Sequence, residues 1–192
     1  TAELLRDIQD RRVPYSTPTS EIRELFAVRD KVAFVAFSSA TTPEVWVSDG
    51  SGPGTRILHD TCPTADCGYI PDIVGTANGT VFWVAQSQRD GPFRLWGSDG
   101  TRAGTRALTP VDPPPAVWYV SEGWSAAMSN RGLYFGSCTT ERGCELWHSD
   151  GTIAGTRVVE SFEGVAAEFH GMRFVQNRLY FFLGSDLWIS NG

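Results

Sequence analysis

Short apolar runs alternate with clusters of Asn, Asp, Gly and Ser along the chain, and the runs are rich in aromatic and β-branched residues. Four of them line up: Val32-Ala33-Phe34-Val35, Val81-Phe82-Trp83-Val84, Leu133-Tyr134-Phe135 and Leu179-Tyr180-Phe181-Phe182. Turn residues precede each, namely Arg29-Asp30, Asn78-Gly79, Asn130-Arg131-Gly132 and Gln176-Asn177. This pattern signals strands joined by hairpins, with Asn-Gly and Asp-Gly supplying the positive φ of tight turns. No amphipathic helix of useful length is evident. Residues 21–28 tolerate helix but occupy the slot of an inner strand.

A second element follows each aromatic run: Val45-Trp46-Val47-Ser48-Asp49-Gly50, Leu95-Trp96-Gly97-Ser98-Asp99-Gly100, Leu146-Trp147-His148-Ser149-Asp150-Gly151 and the shorter Leu187-Trp188-Ile189-Ser190-Asn191-Gly192. The tryptophans are 50, 51 and 41 residues apart. The first three copies continue into Gly54-Thr55-Arg56, Gly104-Thr105-Arg106 and Gly155-Thr156-Arg157 and then an apolar outer strand. With inner strands near Phe26, Ile73, Met128 and Met172, each repeat reads as four antiparallel strands. Such a unit repeated every 40–50 residues predicts an all-β, four-bladed β-propeller. The blades fall at about 21–60, 68–110, 118–161 and 165–192, in a single domain covering 1–192. Leu4-Leu5-Arg6-Asp7 matches the outer strand Ile57-Leu58-His59-Asp60. An N-terminal strand over 3–8 is therefore expected to complete the last blade and close the ring, removing open sheet edges. The rival expectation is a slice of a longer array.

These phrases resemble the ELWxxDGT repeat family of exported bacterial proteins. The fullest copy is Glu145-Leu146-Trp147-His148-Ser149-Asp150-Gly151-Thr152-Ile153-Ala154-Gly155-Thr156, and the others depart at Val45, Arg94, Ser51 and Asn191. The resemblance spans essentially the whole chain and implies β-propeller-like architecture and export. It brings no catalytic residues.

Composition narrows the function classes. The chain has 192 residues, 41% hydrophobic and 12% aromatic, enough for a substantial core. Its net charge of −6 argues against nucleic acid or an anionic membrane as partner. No apolar run approaches a membrane span. The four cysteines form local pairs, Cys62 with Cys67 and Cys138 with Cys144. Two loop disulfides in an oxidising compartment (secreted, cell surface or periplasmic) are the expectation. A shared zinc site is the alternative, disfavoured by the gaps within each pair.

Several residues are candidate sites. Asp49, Asp99 and Asp150 offer carboxylates that a structural calcium ion would use. One per loop is sparse for calcium, and an Asp that bonds its own turn is the simpler role. The repeated tryptophans read as wedges between blades. Trp118, Tyr119 and Trp124, outside the repeat and after Asp112-Pro113-Pro114-Pro115, form a candidate aromatic surface for a sugar or peptide. Arg23, Asp72, Glu122, Glu168 and His170 are candidates to line a central channel, which would itself accommodate an ion. Glu168 and His170 share a strand face by spacing. His148 is expected to be exposed and His59 to have no evident partner.

No serine-hydrolase elbow, zinc-protease helix, phosphate loop or dinucleotide fingerprint is present. The favoured reading is a non-catalytic exported module that binds protein or glycan, with no cofactor. The alternatives are a carbohydrate-active hydrolase or lyase using channel carboxylates, and a structural segment of a larger surface protein.

Overall fold

The computed structural model describes residues 2–6, 8, 24–38, 41–61, 71–86, 93–109, 125–139, 142–164 and 167–191. Within them the chain is all-β, arranged as four antiparallel sheets. Sheet one contains β1 (Phe26–Val28), β2 (Lys31–Ser38), β3 (Thr41–Ser48) and β4 (Arg56–His59). Sheet two contains β5 (Asp72–Ala77), β6 (Thr80–Gln86), β7 (Phe93–Ser98) and β8 (Arg106–Ala107). Sheet three contains β9 (Ala126–Ser129), β10 (Gly132–Thr139), β11 (Gly143–Ser149) and β12 (Arg157–Phe162). Sheet four has three strands, β13 (Phe169–Val175), β14 (Arg178–Leu183) and β15 (Asp186–Ser190). Strand order follows chain order in every sheet, so each is a simple meander.

The first strands of successive sheets lie side by side, β1 against β5, β5 against β9 and β9 against β13. This arrangement is propeller-like. Three apolar layers fill the spaces between sheets. Val28, Val45, Val47 and Leu58 meet Val81, Trp83 and Trp96 between sheets one and two. Phe82, Leu95 and Leu108 meet Leu133, Phe135 and Trp147 between sheets two and three. Tyr134, Leu146 and Phe162 meet Phe169, Leu179 and Phe181 between sheets three and four.

The packing has one direction. In each repeat tryptophan pairs in register with an aromatic residue of the preceding strand, Phe34 with Trp46, Trp83 with Trp96, Phe135 with Trp147 and Phe181 with Trp188. The last three pairs stack with centroids 6.1, 6.0 and 6.5 Å apart. Trp96 and Trp147 face the preceding sheet, while Val45, Leu95 and Leu146, one residue before each tryptophan, face the following one. Alternation along a strand imposes this division. Each sheet therefore has a tryptophan face and an aliphatic face, and the faces mate in sequence.

The two ends of the stack differ from expectation. Residues 2–6 have no strand pairing, and sheet four has three strands. This segment lies against sheet one. Arg6 donates from Nη1 to the carbonyl of Thr55 and sits 5.6 Å over the Trp46 ring. Ile8 packs with Phe34, Ala36 and Trp46.

Candidate functional site

The Ser-Asp-Gly loops repeat atom for atom. Asp49 Oδ1 accepts from the Ser51 amide (2.9 Å) and hydroxyl (2.7 Å). Asp99 Oδ1 accepts likewise from Thr101 (3.0 and 2.6 Å), and Asp150 Oδ1 from Thr152 (2.8 and 2.7 Å). The same hydroxyls accept from Gly54, Gly104 and Gly155 amides at 2.9–3.0 Å. Ser48, Ser98 and Ser149 hydroxyls then join those of Thr55, Thr105 and Thr156 at 2.7–2.8 Å. Gly50, Gly100 and Gly151 take φ of +84 to +90°, a region that glycine enters without a Cβ penalty. A Cβ on Gly54, Gly104 or Gly155 would collide with the aspartate of its own loop. Every polar side chain of the motif thus has a partner inside its own turn. Hydrogen bonds from Ser51, Thr101 and Thr152 hold the three carboxyls below the usual aspartate range. Asp99 also meets Arg29 of sheet one at 3.6 Å, while Arg106 reaches the Gly104 carbonyl at 3.4 Å.

In sheets one to three the residue two places before the tryptophan reaches toward the outer strand or back to the indole. Glu145 accepts from Trp147 Nε1 at 3.1 Å. Arg94 donates to the Thr109 carbonyl at 3.1 and 2.7 Å and lies over the Trp96 ring. Glu44 is fully buried and accepts from the Thr61 amide (3.2 Å) and hydroxyl (3.1 Å). Burial pushes its carboxyl up to about 7; the Thr61 hydrogen bonds oppose the shift and the neighbouring Asp60 carboxyl adds to it. Sequence reasoning missed this site because a glutamate in a strand reads as a surface residue. The indole N–H groups of Trp46, Trp83 and Trp96 find no acceptor among the described residues, unlike that of Trp147.

Of the other candidates, Asp72 opens β5 on an exposed site, and Glu168 and His170 are exposed on either side of buried Phe169. They stand on sheets two and four. His170 stacks on Phe182 at 5.3 Å, and the Glu168 carbonyl accepts from Gly184 at 3.1 Å. Arg23, Glu122, Trp118, Tyr119, Trp124, Cys62 and Cys67 lie outside the described residues. Cys138 and Cys144 form a disulfide across directly paired positions of β10 and β11. Among the described residues no three His, Cys, Asp or Glu side chains are grouped to hold a metal ion, and no helix is long and apolar enough to cross a membrane.

Two histidines correct the sequence reading. His59 is half-buried with its ring 5.0 Å from Trp96, and His148 is half-buried 4.6 Å from Tyr134. Burial lowers the pKa of both. His148 Nε2 also lies 3.2 Å from the Arg131 carbonyl. His59 owes its place to the neighbouring sheet and His148 to the adjacent strand β10 of its own sheet, neither of which one strand's pattern reveals.

No family model matches the chain, and no similar curated protein is found.

Among the described residues, five of the nine exposed large apolar side chains are on sheet four. Leu187 is 64% exposed, whereas its counterparts Val45, Leu95 and Leu146 are at most 1% exposed. Phe182, Ile189 and Val175 extend the patch, while Trp188, 40% exposed, lies on the opposite face of the sheet. Beside it, a cleft of about 620 Å³ opens between β12 and β15, lined by Val159, Glu160, Phe162, Trp188 and Ile189. Exposed apolar patches of this kind mark contact surfaces in folded proteins.

Proposed function

We propose that the chain is a β-propeller-type repeat scaffold, exported and non-catalytic, that presents a binding surface for protein or glycan. One observation carries this reading: the motif that recurs most faithfully spends its hydroxyls and carboxylate on closing its own turn, three times over. A repeated active site would instead direct polar groups outward, toward substrate. The Cys138–Cys144 bridge is compatible with an oxidising compartment. The likeness of the repeat to exported ELWxxDGT proteins supports the same placement. Carbohydrate chemistry through Asp72 and Glu168 has weaker support, because the two carboxylates stand on separate sheets and neither is buried.

A panel of polysaccharides and extracellular proteins, scored for both binding and product, tests the proposal. Saturable binding with no product is expected. A glycan product that disappears with Glu168→Gln, in a protein that still folds, would replace this reading by the enzymatic one.

A further inference from the structure

Glu44 and Glu145 hold the same place in their sheets, two residues before the tryptophan, yet their carboxyls have different partners. In sheet three Glu145 accepts from the Trp147 indole N–H at 3.1 Å. In sheet one both Thr61 hydrogen bonds end on Glu44 Oε2. The Trp46 indole N–H is buried and meets no acceptor among the described residues, although Trp46 shares a strand face with Glu44. Sheet one thus sets a carboxyl and an orphan donor at two positions whose counterparts bond each other in sheet three.

The residue opposite the glutamate accounts for the difference. In sheet three the register sets Ser161 against Glu145. In sheet one His59 opposes Val45, so the next residue, Asp60, takes the place of Ser161. Asp60 shares a hydrogen bond with the Glu44 carboxyl. Two carboxyls bond each other only with a proton between them, and side by side they resist ionising together. Glu44 is fully buried whereas Asp60 is exposed, so the shared proton has a path to solvent through Asp60. The other neighbours among the described residues are few. Strand β2 contributes Phe34 and Ala36, both uncharged and in register with Trp46 and Glu44. The N-terminal segment contributes the Arg6 cation, 5.6 Å over the Trp46 ring. His59 lies against Trp96 of sheet two.

We propose that Glu44 is a two-position latch governed by the proton it shares with Asp60. While that proton is in place, Glu44 holds Asp60 against the end of β3. When the proton leaves to solvent, the Asp60 carboxylate turns out into water and the ionised Glu44 accepts from the Trp46 indole N–H, as Glu145 does from Trp147. Thr61 stays on Oε2 in both positions. The second position gives a donor to a carboxylate that has lost its partner and an acceptor to a buried N–H, each of which is costly to leave alone. The acidity of the medium thereby sets how the chain leaving sheet one is seated beside the ring that Arg6 covers.

Proton–nitrogen NMR of the indole groups in the full chain, titrated from pH 5 to pH 8.5, tests the latch. The Trp46 indole proton, assigned with Trp46→Phe, should move downfield toward the bonded Trp147 indole, with a midpoint near 7. In Glu44→Gln it should stay still. In Asp60→Ala, a substitution at an exposed site, the competing acid is gone and the same shift should be complete at lower pH. The Trp83 indole, buried on sheet two without an acceptor, is the internal reference and should not move. A Trp46 resonance that stays fixed in the wild-type chain, that moves as far in Glu44→Gln, or that moves together with Trp83 would overturn the proposal. So would a midpoint left unchanged or raised by Asp60→Ala.

Discussion

Glu44 makes the stability of this protein depend on pH in an unusual direction. Its carboxyl is fully buried in sheet one, held by Thr61 and next to Asp60, and is pushed up to about 7 from an ordinary value of 4.5. A carboxyl whose folded pKa lies above its unfolded one binds a proton more tightly in the native state. Its contribution is then fully present below about pH 4.5 and is lost as pH rises through 7. The difference between these values, at about 1.4 kcal/mol per unit, makes ionisation cost about 3 kcal/mol of stability by pH 8. Glu44→Gln keeps an oxygen for the Thr61 donors and places an amide toward Asp60, with no proton to lose. The stability of Glu44→Gln minus that of wild type should be near zero at pH 4 and rise to about 3 kcal/mol at pH 8. Urea unfolding of both proteins at half-unit steps from pH 4 to 8 measures this. A difference that stays flat across the range would refute the reasoning.

Four further perturbations separate local contributions. Asp99→Ala removes the acceptor of two hydrogen bonds from Thr101 and should cost about 1–2 kcal/mol in urea unfolding, with a smaller loss for Asp49→Ala because that loop is more exposed. Asp49, Asp99 and Asp150 have lowered pKa values, so their contribution is present above the ordinary aspartate value of 3.8 and lost as pH falls through the folded values; the urea midpoint of wild type should drop below that pH by more than that of an Asp99→Asn variant. Glu145→Ala leaves the Trp147 indole N–H without its acceptor and should destabilise by about 1–3 kcal/mol, with much of the loss restored by Glu145→Gln. Reducing Cys138–Cys144 opens a short loop and should lower stability by about 2 kcal/mol, seen as a lower melting temperature in reductant.

The sheet architecture was legible because its signals are local and repeated. The aromatic runs became β2, β6, β10 and β14, and the Leu-Trp or Val-Trp phrases became β3, β7, β11 and β15. Turn chemistry was equally readable: Asp followed by Gly and then Ser or Thr specifies both its positive φ and its own hydrogen-bond donors. The features that escaped are decided by partners beyond their own strand. Glu44, His59 and His148 look like surface residues when only their own strand is considered, yet Thr61 holds Glu44, Trp96 of sheet two lies against His59, and Tyr134 of β10 lies against His148. The match of Leu4-Leu5-Arg6 to an outer strand was visible too. Which sheet it belongs to was not, because strand identity and strand partner are separate pieces of information. The segment kept the outer-strand position relative to Trp46 without strand pairing to β15.

Thermal melting with calcium and with chelator tests most directly the claim that the repeated aspartates serve to close their own turns. The account predicts the same midpoint in both conditions. A midpoint raised by calcium, with the rise lost in Asp99→Asn, would contradict it.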